Sequence, residues 1–260
     1  RNIIKHGGCI IMTEFRKILS EVIGTYTLVF FGTLSVVVTL LIAQGVETTN
    51  IFNIGIGALG GVGDWLSIGF AFAMPLIAAI YAFARISGAH FNPAVTIGLW
   101  SIKKFPTKDV IPYIVSQIIG SLLATFTIVA ILGKQASTIG VLGSVAPFGD
   151  VTLLGVFIAE FLGTFLLMYA IMAVAVDKNA QPGFAALIIG LVILGIVVAI
   201  GNISGSGINP ARSLTPMIGN LIVAGTPIDL LVLAVYIIAP ILGAICGAQL
   251  YEYLYKEIGY

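Results

Sequence analysis

Two nine-residue stretches decide the fold of this chain, because each is typical of a helix that begins inside an apolar sequence. Residues 86–94 read Ile-Ser-Gly-Ala-His-Phe-Asn-Pro-Ala, and residues 203–211 read Ile-Ser-Gly-Ser-Gly-Ile-Asn-Pro-Ala. Asparagine is a strong helix N-cap, and proline is favoured at the first helical position, where its missing N–H costs nothing. One copy would indicate no more than a helix start. Two copies in matching surroundings indicate a duplicated structural unit.

The sequence around these stretches is that of a protein that lies in a lipid bilayer. Of its 260 residues, 59% are hydrophobic and 9% are charged, whereas a soluble domain carries about 25% charged residues. So few polar residues could not cover the surface of a soluble enzyme. The net charge of +1 offers no basic surface for nucleic acid, and Cys9 and Cys246 make neither a disulfide framework nor a thiolate metal cluster. We therefore predict a membrane protein with no metal, cofactor or nucleic-acid partner.

Six apolar stretches have the length of transmembrane helices, near the roughly 20 residues that cross about 30 Å of hydrocarbon. They run approximately over Ile18–Ala43, Trp65–Phe83, Val110–Ile131, Leu153–Val176, Phe184–Ile200 and Leu230–Leu254. An even number of spans places both termini on one side of the membrane. Most lysine and arginine residues flank that side, while Lys134 falls in a loop on the other. The excess of basic residues predicts that both termini are cytoplasmic.

The two halves of the chain repeat each other. Three motifs occur in the same order in each half, and they pair Glu21-x-x-Gly24-Thr25-x-x-Leu28 with Glu160-x-x-Gly163-Thr164-x-x-Leu167, Asn92-Pro93-Ala94 with Asn209-Pro210-Ala211, and Tyr113 and Gly120 with Tyr236 and Gly243. The repeats cover about residues 12–135 and 150–255. Each holds three spans, so the second half enters the membrane from the opposite side and the repeats are inverted. We predict an all-α membrane protein with six transmembrane helices and two re-entrant half-helices.

The Asn-Pro-Ala boxes are predicted to begin these half-helices at the middle of the membrane. Pro93–Lys103 and Pro210–Asn220 would each be about 16 Å long, and together they would cover one hydrocarbon thickness. Asn92 and Asn209 would then meet at the centre, where the positive ends of two helix dipoles converge. Their side-chain N–H groups could donate to the oxygen of a passing neutral molecule, while a cation would be repelled. Free carbonyls of residues 87–91 and 204–208 would line the wall.

The duplicated boxes, each preceded by Ser-Gly, and the paired Glu-x-x-Gly-Thr helices resemble the aquaporin and aquaglyceroporin family over essentially Met12–Tyr255. Residues 52–55 and 201–206 are similar to its archaeal M-type branch in particular. The resemblance implies a passive channel, not an enzyme, in the plasma membrane. It would conduct water and exclude ions and protons, with glycerol and other small neutral solutes as candidate further permeants. It also implies a homotetramer surrounded by membrane lipid, with one pore per protomer.

The residues around Met12 bear on where the channel domain begins. Met12, followed by Thr13-Glu14-Phe15, is typical of a natural start. We therefore expect residues 1–11 to be a leader that is not native to the chain, and residues 12–260 to form a single channel domain.

The resemblance further implies a selectivity filter on the outer side of the asparagine pair. Its four positions match Phe72, Val197, Ser206 and Arg212. Phe72 and Arg212 are similar to the residues of water-specific members, whereas Val197 stands where those members carry histidine. That exchange removes a ring and a hydrogen-bond donor, so we expect a wider and less polar aperture.

Four polar residues predicted to lie within the membrane allow more than one interpretation. Arg212 could be a pore-lining donor and cation barrier, or a structural cation that satisfies loop carbonyls. Glu21 and Glu160 could be loop-anchoring carboxylates, each in its own half, or the proton relay of a secondary transporter. His90 could be a packing group, a pH gate or a metal ligand, although no second histidine or cysteine lies near it in sequence. We favour the pore, anchoring and packing roles.

Overall fold

The computed structural model describes the backbone of residues 3–43 and 62–255 and the side chains of residues 14–42 and 63–255. The backbone in these ranges folds into nine α-helices and contains no strand. They are α1 (Ile3–Ala43), α2 (Val62–Ser87), α3 (Pro93–Ser101), α4 (Thr107–Leu132), α5 (Gln135–Thr138), α6 (Leu153–Ile171), α7 (Ala185–Ser204), α8 (Pro210–Ala224) and α9 (Leu230–Tyr255). A 3-10 turn, Val141–Gly143, precedes α6, and a π-helical turn, Met172–Val176, follows it. The predictions for residues 52–55 and for the side chains of the leader fall outside the described residues.

Six of these helices are long and apolar enough to cross a membrane, which confirms the predicted number of spans in the described part of the chain. They are α1, α2, α4, α6, α7 and α9. The predicted ends of α2 and α7 were about four residues too early, because both helices continue to the serine of the Ile-Ser-Gly motif. Gly88 and Gly205 then take positive φ angles of 86° and 74°, the left-handed conformation that commonly ends a helix.

The two short helices α3 and α8 begin at the predicted prolines. Asn92 Oδ1 accepts from the backbone N–H of Ala94 at 2.9 Å, and Asn209 Oδ1 accepts from that of Ala211 at 3.0 Å. Both asparagines are therefore true N-caps. The predicted far ends were wrong: α3 stops at Ser101, while α8 runs on to Ala224, since the chain offers no left-handed stop until Gly225 with its φ of 71°.

The packing of the helices follows the inverted repeat. Helix α1 packs on α4 as α6 packs on α9, while α2 and α7 join the halves. Each half-helix packs on the last helix of the other repeat, α3 on α9 and α8 on α4. Gly120 and Gly243 occupy matching crossings, where an added Cβ would overlap the backbone carbonyl oxygens of Val22 and Phe161. These crossings bring the loops that precede α3 and α8 together at the centre of the bundle.

Candidate functional site

The loop before α3 is held in place by hydrogen bonds to one buried carboxylate. Glu21 is 0% exposed. Its Oε1 accepts from Ser87 Oγ at 2.7 Å and from the N–H of His90 at 3.0 Å, while its Oε2 accepts from the N–H of Phe91 at 2.8 Å and from Gln117 Nε2 at 2.8 Å. The carboxylate thus replaces the hydrogen bonds that an irregular loop at this depth cannot obtain from lipid.

The loop before α8 is held in the same way by the matching residue. Glu160 is 0% exposed. Its Oε1 accepts from Ser204 Oγ and from the N–H of Gly207, both at 2.7 Å, and its Oε2 accepts from the N–H of Ile208 at 2.5 Å. The structure therefore places Glu21 and Glu160 where the anchoring role requires them.

A pair of tyrosines completes both anchors, and sequence reasoning missed this function. Tyr113 Oη donates to the carbonyl of Ser87 at 2.8 Å, and Tyr236 Oη donates to the carbonyl of Ser204 at 2.6 Å. Their matching places in the two repeats were the available signal. Each tyrosine ties the end of a long helix to the last helix of its own repeat.

The two loops meet through their asparagines. Asn92 Nδ2 donates to the carbonyl of Ile208 at 2.8 Å, and Asn209 Nδ2 donates to the carbonyl of Phe91 at 2.9 Å. A primary amide has two N–H groups, so one hydrogen of each asparagine joins the loops and one remains for a solute. The sequence predicts that these hydrogens face the solute but carries no sign of the crossed bonds, which fix the direction of the remaining donors.

A narrow space of about 30 Å³ runs outward from the asparagine pair. It holds one or at most a few water molecules. The four predicted filter residues all line it, together with both asparagines. The residues added by the structure are Leu28, Leu167, Ile193, Gly207 and Ile208. Leu28 and Leu167 end the repeated Glu-x-x-Gly-Thr-x-x-Leu motif, which could have indicated that they face the lumen.

Arg212 brings a cationic side chain to this space. Although only 2% exposed, it donates from Nη1 to the carbonyl of Gly143 at 2.8 Å, and its Cζ lies 5.3 Å from the ring centre of Phe72. Among the described residues, its Nε has no hydrogen-bond partner. The guanidinium is therefore anchored on one side and keeps donor capacity, and it stands at the positive end of α8.

Two wider cavities continue the narrow space. One, of about 490 Å³, extends from Asn92 past His90 to Lys104, on the face where α9 ends; we call this the terminal face. The other, of about 190 Å³, lies on the opposite face between Trp65, Phe148 and Arg212. Leu28 and Asn92 line both the narrow space and the larger cavity, and Arg212 lines both the narrow space and the smaller cavity. The three spaces therefore form a path through the bundle.

His90 lies at the edge of the larger cavity and packs within a small aromatic group. Its ring centre is 4.6 Å from that of Phe105 and 5.2 Å from that of Tyr113, and its Nδ1 is 3.0 Å from Thr96 Oγ1. Within the described ranges, no group of three or more histidine, cysteine or acidic side chains is placed to hold a metal ion. These contacts support packing as the role of His90.

Comparisons with known proteins agree with this geometry. The Major intrinsic protein family matches residues 10–251. The chain belongs to the Major intrinsic protein family. A probable aquaporin AqpM of Archaeoglobus fulgidus is 51% identical over 247 residues, which cover 95% of this chain and 99% of that protein. The aquaporin AqpM of Methanothermobacter marburgensis is 50% identical over 242 residues, 93% of this chain and 98% of its own length.

A solved structure gives the same fold. The aquaglyceroporin from Plasmodium falciparum superposes with a TM-score of 0.79 at 27% identity, covering 94% of this chain and 98% of its own. The protein is thus a multi-pass membrane protein of a channel family, with the inverted-repeat fold of six membrane-spanning helices and two re-entrant half-helices.

Proposed function

We propose that this protein is a passive channel for water that also admits small neutral solutes such as glycerol. The observation that carries the proposal is the narrow space where the donors of Asn92, Asn209 and Arg212 converge, joined to a cavity on either side. Relatives that are about half identical over nearly the whole chain bear the name aquaporin. Fixed donors on one wall and apolar side chains on the other suit a small molecule that carries its own hydrogen-bonding groups.

The exclusion of ions follows from the same residues. A cation that enters the narrow space loses hydration next to the Arg212 charge and the positive ends of α3 and α8. A water molecule held by both asparagines accepts two hydrogen bonds and directs its hydrogens outward. This water molecule therefore does not readily accept a proton from the neighbouring water molecule, which opposes proton hopping along the water molecules in the pore.

The filter supports an aperture broader than that of a strictly water-selective channel. Val197 is 2% exposed and lines the narrow space with Phe72 and Ser206. A valine supplies neither a ring nor a donor, so the solute finds one polar wall at Arg212 and an apolar wall opposite it. Larger neutral molecules with an apolar face gain most from this arrangement.

The proposed setting is the plasma membrane with both termini in the cytoplasm. The excess of basic residues supports this orientation, because Lys17 lies at the start of the first membrane span and Arg85, Lys104 and Lys178 lie at or just beyond helix ends on the terminal face, while Lys134 lies on the other side. By family resemblance the protein assembles as a homotetramer with lipid around it. Native mass spectrometry of the detergent-solubilised protein tests the assembly.

A proton-coupled transporter receives less support. The oxygens of Glu21 and Glu160 already accept from the loop backbone and from buried side chains. A carboxylate that gave up its charge would release the loop that it holds. If the protein were a transporter, a pH gradient would drive solute uphill; a channel passes solute down its own gradient regardless of pH.

Osmotic shrinkage of proteoliposomes tests the proposal. Stopped-flow light scattering should show vesicles with the protein shrinking faster than empty vesicles, and the same vesicles should then take up glycerol. The matched control is Val197→Trp, which fills the narrow space and should reduce both fluxes. Shrinkage of wild-type vesicles no faster than that of empty ones would refute the channel.

A further inference from the structure

The filter arginine is anchored by a turn whose own conformation is unfavourable. Val141, Leu142 and Gly143 form a short turn with consecutive φ angles of 41°, 49° and 63°. L residues avoid this left-handed region, β-branched valine above all, because Cβ approaches the backbone carbonyl. Such a turn persists only where its surroundings fix it. The contacts of the turn therefore show what holds it in place.

Asn220, in the third turn of α8, makes these contacts. Its Nδ2 donates to the carbonyl of Val141 at 2.7 Å and to Ser144 Oγ at 2.9 Å, one hydrogen at each end of the turn. Its Oδ1 accepts from Ser137 Oγ at 2.6 Å. Both amide hydrogens and the amide oxygen are thus engaged in a side chain that is 6% exposed.

The neighbouring residue of α8 receives the apolar side of the turn. Leu142 is 1% exposed, and its Cδ1 would lie 2.6 Å from a Cβ placed on Gly219. With glycine at 219, this leucine packs against the helix in a place where a Cβ would crowd it. Gly219 and Asn220 together form a seat that accepts the left-handed turn in one orientation.

The turn presents a carbonyl to the filter. The oxygen of Gly143 accepts from Arg212 Nη1 at 2.8 Å, and Gly143 is pressed against helix α1, where an added Cβ would meet the carbonyl oxygen of Thr33 at 3.0 Å. The position of this oxygen decides where the guanidinium lies over Phe72. Arg212 and Asn220 belong to the same helix, so α8 carries the arginine and also the clamp that orients its far end.

We propose that Asn220 is a positioning residue of the selectivity filter: it clamps the Val141–Gly143 turn so that the Gly143 carbonyl holds Arg212 at the wall of the pore. The inference rests on the proposed function in that Arg212 sets which solutes pass. Without the clamp the turn relaxes to ordinary φ angles, the carbonyl moves away, and the aperture is no longer fixed. Glycerol, the larger solute, then gains more than water does.

The test compares glycerol and water permeability in the same vesicles for Asn220→Ala and Thr215→Val. Thr215 is the matched control, because it lies on α8, is 0% exposed and has its hydroxyl bonded to Ser121 and Thr125 of α4 rather than to the turn. We expect the glycerol-to-water ratio to rise about fivefold in Asn220→Ala, the factor equivalent to about 1 kcal/mol for one net hydrogen bond. In Thr215→Val the ratio should stay at the wild-type value.

The Arg212→Val background separates positioning from general damage. If Asn220 acts through the arginine, Asn220→Ala should leave the ratio of an Arg212→Val channel unchanged. An unchanged or lower ratio in the single variant, or a rise that persists without the arginine, would overturn the proposal. If wild-type vesicles conduct no water, the proposed function fails instead, and the exchange measurement below still decides whether the clamp exists.

Amide hydrogen exchange of residues 139–145, read by mass spectrometry, needs no flux. Asn220→Ala should accelerate exchange of the Gly143 and Ser144 amides, which bond within the turn, while Thr215→Val should not. Ser144→Ala, which removes one acceptor of Asn220 and leaves the core intact, should give a smaller change in the same direction. Exchange as slow as in the wild type in both clamp variants would contradict the clamp.

Discussion

The two re-entrant loops share one scaffold but differ in what fills it. In each, a glutamate accepts the serine hydroxyl and two loop amides, and a tyrosine binds the serine carbonyl. In the first repeat, Gln117 also donates to Glu21 and to Thr96 Oγ1, and Thr96 contacts His90. The first loop therefore sits on a polar network that runs toward the larger cavity.

The matching positions of the second repeat are Pro240, Ser213 and Gly207. None of them continues such a network: Ser213 Oγ is buried without a hydrogen-bond partner among the described residues. A Cβ on Gly207 would lie 2.6 Å from Ser213 Oγ and 3.0 Å from Glu160 Oε2. The second loop is thus packed more tightly.

The two loops also differ in the residue that each brings to the adjoining cavity. One residue after each Ala of the boxes, the first repeat carries Val95 and the second carries Arg212. The first loop borders the wide cavity, and the second loop, with its arginine, borders the narrow one. The duplication supplies two similar anchors, and the two loops differ in a few side chains, among which Arg212 is the one proposed to make the second loop a filter.

Removing an anchor should have the largest effect. Glu160→Ala leaves the amides of Gly207 and Ile208 without an acceptor, at about 1–3 kcal/mol for each buried group, and leaves the Ser204 hydroxyl only its longer bond to the carbonyl of Ile200 at 3.3 Å. We expect loss of folded protein in thermal unfolding and loss of water flux, and the same for Glu21→Ala. Glu14→Ala, at a partly exposed ion pair with Lys17, should cost about 0.5 kcal/mol or less. A stable, conducting Glu160→Ala channel would show that the anchors are dispensable.

Replacing Arg212 by valine, the residue at the matching position 95 of the first repeat, should have the next largest effect. Arg212→Val gives the second repeat the residue of the first and removes a positive charge from the narrow space. The repulsion between Arg212 and a cation about 4 Å away is about 1–4 kcal/mol, for a dielectric constant between that of water and that of a protein surface. Without this repulsion, the leak of cations or protons should rise by roughly one to three powers of ten. Leak is read from pH-sensitive dye in vesicles. Leak equal to that of the wild type would remove the arginine from the barrier.

The matching residues Thr96 and Ser213 should respond differently to loss of their hydroxyl groups. Thr96→Val removes the contacts to Gln117 and His90 and should destabilise the protein by about 1–3 kcal/mol. Ser213→Ala removes a buried hydroxyl that has no partner, so its effect on the melting temperature should be neutral or slightly stabilising. Thermal unfolding in one detergent compares the two. Equal destabilisation would mean that the halves are supported alike.

Loss of the hydrogen bond between Tyr251 and Asp177, at the end of α9, should have the smallest effect on stability. At the end of α9, Tyr251 Oη donates to Asp177 Oδ2 at 2.6 Å, whereas the matching Ile128 of the first repeat packs in an apolar cluster. The tyrosine hydrogen bond, assisted by the N–H of Asn179, lowers the pKa of Asp177 below its ordinary 3.8. The bond therefore stabilises the protein fully at pH values above the ordinary pKa of 3.8, and this stabilisation is lost as the pH falls through the lowered pKa.

Tyr251→Phe tests this bond by carboxyl NMR of labelled aspartate. The pKa of Asp177 should rise toward its ordinary value, and the stability lost on acidification should become smaller. Tyr253→Phe, at a tyrosine 78% exposed, is the control and should leave the titration unchanged. An unchanged pKa in Tyr251→Phe would contradict the assigned cause.

The sequence was sufficient for the number of spans, the inverted repeat and the starts of α3 and α8, since apolar length and Asn-Pro caps are local signals. It placed Phe72, Val197, Ser206 and Arg212 at one filter through family resemblance, and the structure brings them together; their role in selection stays a prediction. Glu21 and Glu160 could be assigned to the loops because the motif occurs twice.

Contacts between distant segments could not be read in this way. The bonds from Asn92 to Ile208 and from Asn209 to Phe91 depend on how two loops cross, and no periodicity encodes that crossing. The carbonyl of Gly143 is a backbone atom in a turn with unusual φ angles, so its residue type gives no sign of its role. The end of α8 was misplaced because Gly219 is typical of a helix end, whereas it lies inside the helix next to Leu142.

The distance between the loops tests the central claim most directly. Solid-state NMR of protein in lipid, with ¹⁵N in the asparagine side chains and ¹³C in the isoleucine and phenylalanine carbonyls, reports on Asn92 to Ile208 and Asn209 to Phe91. We expect strong dipolar dephasing for both pairs, since the nitrogen and oxygen atoms lie 2.8 Å and 2.9 Å apart, and its loss in Asn92→Ala for the first pair. No dephasing in the folded wild type would show that the half-helices do not meet.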